Sequence, residues 1–322
     1  MTVTVISNLA AARARRYVPV LREALSQPGV VHRLTERVAD MDAAVGHDAW
    51  SPDDLLVING GDGTVQHALT VLVQRCPPGR LPRLACLPGG TTNMTAFDLN
   101  RHRRFGDCVA SLREAAAGRV PESRRSAVRV SPRGASVADW RCGFFFGIGT
   151  IVQGIEYFHQ SVRRNAAHEV GAGMALARTL WGIARRQPPF SRSLTLRLEA
   201  QPGARDEHPC FGPPGTTCIR LLLATTLDRL FLGIRPYWGS GGGALKSTLV
   251  ESRAPRFIAR MPRLLRGRPD RDMTPRTGYH SARLDALTLC FSGSYTLDGE
   301  LFGGADGTID VAATHPLRVL SL

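Results

Sequence analysis

A parallel α/β unit followed by an antiparallel β unit is the fold this sequence predicts, and three observations predict it. Strand-like and helix-like runs alternate over the first 120 residues, two glycine-rich strand-to-helix turns fall among them, and short β-type runs take over from about Ser123. Alternation implies a parallel sheet covered on both faces, and closely spaced strands imply an antiparallel sandwich or barrel-like unit. A chain of 322 residues is long enough for two such units, each with its own core, and the change of pattern divides it into 1–122 and 123–322.

In the first unit Val3–Ser7 reads as strand, Arg13–Leu25 as helix, Val30–Arg33 as strand and Asp40–Val45 as a short helix. Leu55–Asn59 is the next strand, Val65–Arg75 a helix, Leu84–Cys86 a strand and Gly106–Ala117 a helix, with Pro52 and Pro77-Pro78-Gly79 where loops are needed. In the second unit the β runs are Ala127–Val130, Arg141–Phe146, Leu194–Leu198, Ile219–Thr225, Leu287–Phe291 and Thr308–Val311. Two helical stretches, Ile155–Arg186 and Arg253–Arg268, interleave arginines with bulky apolar residues. Such stretches can lie in a bilayer interface or pack an apolar face on the core. Pro255 and Pro262 limit the length of the second. The run Phe144-Phe145-Phe146 is either core strand or the lining of an acyl-chain cleft, and Gly239–Leu245 either bends round a ligand or forms a loop.

The net charge of +14 favours an anionic partner such as a membrane surface or a polyphosphate. No aromatic-basic recognition motif accompanies it, so nucleic acid is not expected. No stretch approaches 18 uncharged apolar residues, and the first residues read as a strand rather than a leader. Seven dispersed cysteines without Cys-x-x-Cys spacing read as reduced thiols in a cytosol and argue against zinc.

The chemistry is concentrated in three short motifs. Leu55-Leu56-Val57-Ile58-Asn59-Gly60-Gly61-Asp62-Gly63-Thr64 is an apolar strand running into glycines that bracket an aspartate, directly before a helical pattern. Glycines there let backbone N–H groups approach a phosphate, the helix N-terminus adds positive potential, and Asp62 offers a carboxylate to Mg²⁺. The same residues also make an ordinary Asp-Gly turn. Leu87-Pro88-Gly89-Gly90-Thr91-Thr92-Asn93-Met94 repeats the strand-to-helix design, and both turns can face one edge of a parallel sheet. Asp298-Gly299-Glu300, far downstream, is either a hairpin turn or a pair of working carboxylates.

These motifs, in this order, resemble the diacylglycerol kinase catalytic-domain family, whose signatures are Gly-Gly-Asp-Gly-Thr, Pro-x-Gly-Thr-x-Asn and Asp-Gly-Glu. The resemblance implies a Rossmann-like nucleotide domain of the NAD-kinase type, a β-sandwich lipid domain after it, and transfer of phosphate from Mg²⁺-ATP to a lipid hydroxyl at an anionic membrane surface. It implies that Gly60, Gly61, Gly63 and Thr64 cradle the ATP phosphates, that Asp62 orients Mg²⁺, and that Thr91, Thr92 and Asn93 contact the nucleotide. Asn8 and Thr35, at the ends of the first two strands, border the same ligand in this reading. Glu300 is then the general base and Asp298 its neighbour in tuning or metal binding. The chain departs from the pattern where Leu9-Ala10-Ala11-Ala12 follows Asn8, where Gln66-His67 follows the first motif, and where Met94 follows Asn93. The acid-free stretch Gly241–Leu245 implies that a structural Mg²⁺ site of bacterial relatives is absent. An NAD kinase-like enzyme and a non-catalytic nucleotide- or membrane-binding relative are the alternatives.

Overall fold

Two-sided burial sets the first layer. Strand β3 (Leu55–Gly60) is buried along its whole length. Leu56 and Ile58 enter one apolar cluster, with Leu69 and Leu72, while Leu55 and Val57 enter another, with Leu21 and Leu112. A strand covered on both faces belongs in a parallel sheet wrapped by helices. The computed structural model describes residues 2–46, 50–115, 119–156, 193–199, 211–213, 215–303 and 307–322.

Along the chain, β1 (Val3–Asn8), α1 (Ala12–Ala24), β2 (Val30–Thr35) and α2 (Val38–Val45) precede β3. After it come α3 (Asp62–Arg75), β4 (Arg83–Pro88), α4 (Met94–Leu99), α5 (Phe105–Ala115) and β5 (Glu122–Arg125). Helix α3 begins three residues earlier than the apolar pattern predicts, because Gly61 serves as its N-cap and Asp62, Gly63 and Thr64 form its first turn. Gly63 has low helix propensity, which hides that turn from a sequence reading.

The second layer is one antiparallel sheet. Its strands are β6 (Val128–Pro132), β7 (Arg141–Gly143), β8 (Phe145–Gly149), β9 (Leu194–Glu199), β10 (Gly215–Thr225) and β11 (Leu245–Glu251). Helix α6 (Phe257–Leu265) follows, and then β12 (Tyr279–Leu284), β13 (Ala286–Phe291), β14 (Tyr295–Leu297), β15 (Glu300–Phe302) and β16 (Gly307–Ala313). The main path is β15-β14-β8-β10-β9-β13-β16-β6-β7, with β11 and β12 branching from β10. Strands β7 and β8 stand far apart on this path yet flank the single residue Phe144, so the sheet must curl back on itself. The last strand, β17 (Leu317–Leu320), returns to the first layer, whose order is β2-β1-β3-β4-β17-β5.

Strands β5, β11 and β12 escaped the sequence pattern. In β11 every residue is buried, including Lys246, Ser247, Thr248 and Glu251, so polar residues in the core broke the alternation. The stretch before it, Gly239–Gly243, runs against β12: a Cβ on Gly239 would stand 2.0 Å from the Ser281 carbonyl oxygen. Phe144 and Phe146 are core, as one of the two readings had it. Within Arg253–Arg268 the helix is nine residues long and starts after Pro255, but it runs through Pro262, and Arg260 is buried rather than exposed, paired with Asp270 and Asp272. Residues 157–186 of the other basic stretch, and Cys210, lie outside the described residues. No helix of the described residues is long and apolar enough to cross a membrane.

Candidate active site

Strands β3 and β4 end side by side, Gly60 paired with Pro88, so the two glycine-rich turns leave the sheet at neighbouring points. They then meet backbone to backbone. A Cβ on Gly90 would stand 2.3 Å from the Gly61 Cα, and the Gly89 N–H donates to the Gly60 carbonyl at 3.1 Å. Only glycine permits that approach. Asn93 shapes the second turn from within: it adopts a left-handed backbone (φ 50°), accepts from the Gly90 N–H at 2.7 Å and returns a bond to the Gly90 carbonyl at 2.8 Å. The amide expected to contact a nucleotide is thus engaged in the turn itself.

Asp62 joins the two turns. Its carboxylate accepts the N–H of Met94 at 3.1 Å and of Thr95 at 2.8 Å, capping α4 from across the sheet edge. Burial pushes its carboxyl up, against the pull of those amides. Asn8 reaches the first turn directly, donating to the Thr64 hydroxyl at 2.9 Å. Thr35 is linked only through its carbonyl, which accepts from Leu9, and its buried hydroxyl has no hydrogen-bond partner. Thr91 is exposed and Thr92 half-buried beside the turns.

Glu300 and Asp298 arrive from the other layer. Leu297 pairs with Glu300 across a two-residue hairpin loop whose residues, Asp298 and Gly299, have φ of 50° and 91°. Asp-Gly is the composition that such a primed turn needs. Asp298 then fastens the hairpin, accepting from the Phe144 N–H at 2.9 Å and the Phe145 N–H at 2.8 Å. Helix α3 is docked to the same region, because the Thr70 hydroxyl accepts from the Cys142 N–H at 2.9 Å and donates to its carbonyl at 3.2 Å. The result is that Glu300 Oε1 lies 2.8 Å from where a Gly63 Cβ would be. The turn and the placed carboxylate are therefore the same structure.

Behind these groups is a cavity of about 440 Å³. Asp62, Gly63, Thr91, Thr92, Asp298 and Glu300 provide its polar lining, and its walls are apolar, among them Phe145, Ile151, Leu221, Leu223 and Leu264. Sequence reasoning missed most of the walls. Leu221 and Leu223 alternate on β10 as core residues do, and nothing in that alternation separates a cavity wall from a filled core.

A metal ion at these turns would need ligands from outside the protein. Among the described residues no group of three His, Cys, Asp or Glu could hold a metal ion alone. Both Asp62 oxygens already accept amides, so a cation beside it needs phosphate oxygens to complete its shell.

Burial, and after it the neighbouring charge of Asp62, push Asp298 up to about 8. The unfolded chain holds that proton only below about pH 4. The native state therefore binds more protons than the unfolded state between about pH 4 and pH 8, and this group's contribution to stability is lost as pH rises through that window. The slope is at most about 1.4 kcal/mol per pH unit. Urea unfolding at pH 5 and pH 7.5 should show a smaller difference for Asp298→Asn than for the parent.

Residues 2–122 match the diacylglycerol kinase catalytic domain family. A protein from Bacillus anthracis str. Sterne assigned as a diacylglycerol kinase superposes with a TM-score of 0.64 at 15% identity, covering 100% of this chain and 97% of its own. A second crystal structure, of a diacylglycerol kinase from the same organism, gives 0.61 at 14% identity with the same coverage. At such identities the likeness concerns the fold. No curated protein matches the chain.

Proposed function

We propose that the protein is an ATP-dependent lipid kinase, a reading supported by the match of residues 2–122 to the diacylglycerol kinase catalytic domain family. It transfers the γ-phosphoryl group to a hydroxyl of diacylglycerol or of a sphingoid or ceramide lipid, collected from an anionic membrane surface on the cytoplasmic side. The observation that carries this reading is the exposed Glu300 carboxylate against Gly63, where the polar lining of an apolar cavity meets the glycine turns. Phosphoryl transfer asks a protein mainly for positioning and charge stabilisation. Gly60, Gly61, Gly63 and Thr64 hold the phosphates, with Thr91 and Thr92 beside them and Asn8 steadying Thr64. Asn93 and Asp62 fix the shape of the two turns, and Asp62 also faces the metal. Mg²⁺, when bound with the nucleotide, supplies charge neutralisation. The apolar walls hold an acyl chain, which brings a lipid hydroxyl to Glu300. Glu300 accepts the hydroxyl proton as oxygen attacks phosphorus, and Asp298 sets the hairpin that presents Glu300.

Purified protein incubated with labelled ATP and a panel of lipids, with NAD as a further acceptor, tests the reading. Label in a lipid is the expected result. Label in NAD alone, or ATP binding with no transfer to any acceptor, would overturn it. Asp62→Asn should lower transfer by about 10²-fold, the scale of losing one preorganised electrostatic group. It should also lower the melting temperature, because a buried amide of α4 loses its acceptor.

A further inference from the structure

Two elements that line the cavity also reach the surface, and they do so side by side. One is the turn Leu230–Ile234; the other is α6. The Arg235 N–H donates to the Leu265 carbonyl at 2.9 Å, which ties the end of the turn to the last residue of the helix. At the apex of the turn is Leu232, 67% exposed, the most exposed large apolar residue among those described. Its backbone is left-handed, with φ 57° and ψ 17°, a conformation that a leucine adopts only against steric resistance. Neither property helps the chain fold.

The turn is nevertheless held firmly. Leu230 N–H donates to the Ile234 carbonyl at 2.9 Å and Gly233 N–H to the Leu230 carbonyl at 2.8 Å. Upstream, Asp98 accepts the N–H groups of Asp228 and Arg229 at 3.0 and 2.8 Å. Lys246, the only lysine beside 40 arginines, is buried and donates to the Leu227 carbonyl at 2.9 Å and to the Asp228 carboxylate. A rigid mount presents an exposed apolar residue.

Its surroundings are basic. Arg229, Arg235, Arg256, Arg263 and Arg266 are exposed on the same two elements, with Ile258 38% exposed among them. The nearby acids have partners of their own: Asp228 pairs with Lys246 and Arg125, and Asp270 and Asp272 pair with Arg260. An exposed apolar apex on elements that carry exposed arginines complements an anionic leaflet, apolar groups entering the acyl boundary and guanidinium groups meeting headgroup phosphates.

We infer that Leu232, with Ile258 on the neighbouring helix, is the hydrophobic anchor by which the protein docks on an anionic bilayer. Docking there lays the cavity's two outer walls on the membrane, so an acyl chain passes from leaflet to cavity without crossing water. The inference rests on the lipid-kinase reading for its purpose, and its test needs no turnover.

The full-length protein and Leu232→Asn are sedimented with phosphatidylcholine vesicles, with and without phosphatidylglycerol, at low and high salt. Asparagine tolerates the left-handed backbone, so the turn and the melting temperature should be preserved. Arginine contacts weaken with salt and the apolar contribution does not. The variant should therefore bind anionic vesicles about tenfold more weakly at high salt, the scale of one lost apolar side chain. Leu232→Trp gives a second readout: the fluorescence it adds over the parent should be quenched by brominated acyl chains in anionic vesicles. Parent-like binding of the asparagine variant together with an unquenched tryptophan would overturn the inference. So would a change confined to self-association, which would make the apex a contact between copies. If Leu232-dependent binding is found but no lipid is phosphorylated, the kinase reading fails and the anchor stands.

Discussion

Glu300→Gln is expected to lower kcat by about 10²-fold or more, with little change in ATP affinity. Glutamine keeps the size of the side chain and its contact with Gly63, but it cannot take a proton from an attacking hydroxyl. The hairpin that carries the residue is set by Asp298 and Gly299, and residue 300 is exposed, so the melting temperature should hold within a degree or two. In the proposed reading the nucleotide is gripped by the turns around Gly61 and Gly90, which lie in the other layer. Turnover within threefold of the parent, measured with the lipid that accepts phosphate, would remove Glu300 from the reaction and leave it as a turn residue.

Gly90→Ala should be the most damaging single methyl group in the chain's polar site. The added carbon would lie 2.3 Å from the Gly61 Cα, and backbone, unlike a flexible side chain, cannot swing aside. Either the turns part or the strands beneath them shift. Overpacking of this kind costs about 1–3 kcal/mol. Parting the turns also pulls Met94 and Thr95 away from the Asp62 carboxylate. Loss of ATP binding, read by calorimetry, should accompany a clear fall in the unfolding midpoint. Gly79→Ala is the control, since a Cβ there meets nothing within 4 Å. A Gly90→Ala protein with parent-like ATP affinity and midpoint would show that the turns do not need their close contact.

How far the sequence could be read depended on whether a residue's job is local. Strand β3 and its two-sided burial follow from an unbroken apolar run. The two glycine turns follow from residues that have no better use at a strand end. The Asp-Gly hairpin was legible for the same reason. Tasks assigned across the chain were not. Nothing near Asp62 in sequence reveals that it caps α4, more than thirty residues later, and nothing near Asn93 reveals that its amide closes its own turn. Strand β11 was invisible because Lys246 and Glu251 are buried with partners from distant segments, Asp228 and His280. Arg260, read as one of a series of surface charges, turned inward because Asp270 and Asp272 curl back to meet it. Polar residues in a core are justified by partners, and partners are supplied by topology.

The place of β17 in the first sheet sets the order in which this protein can be completed during synthesis. Strand β4 receives its outer neighbour through Val319, paired with Leu84, so about 230 residues separate β4 from the strand that covers its edge. A ribosome adding about 5–20 residues per second needs roughly 10–50 s to supply them. Through that interval the nascent α/β unit carries an unpaired edge, the kind of surface that recruits strands from other chains. Leu320 and Leu322, both buried against α5 and its neighbours, also arrive only then. Closure of the first sheet thus waits for β17, and a chain cut short before residue 317 leaves that edge open for good.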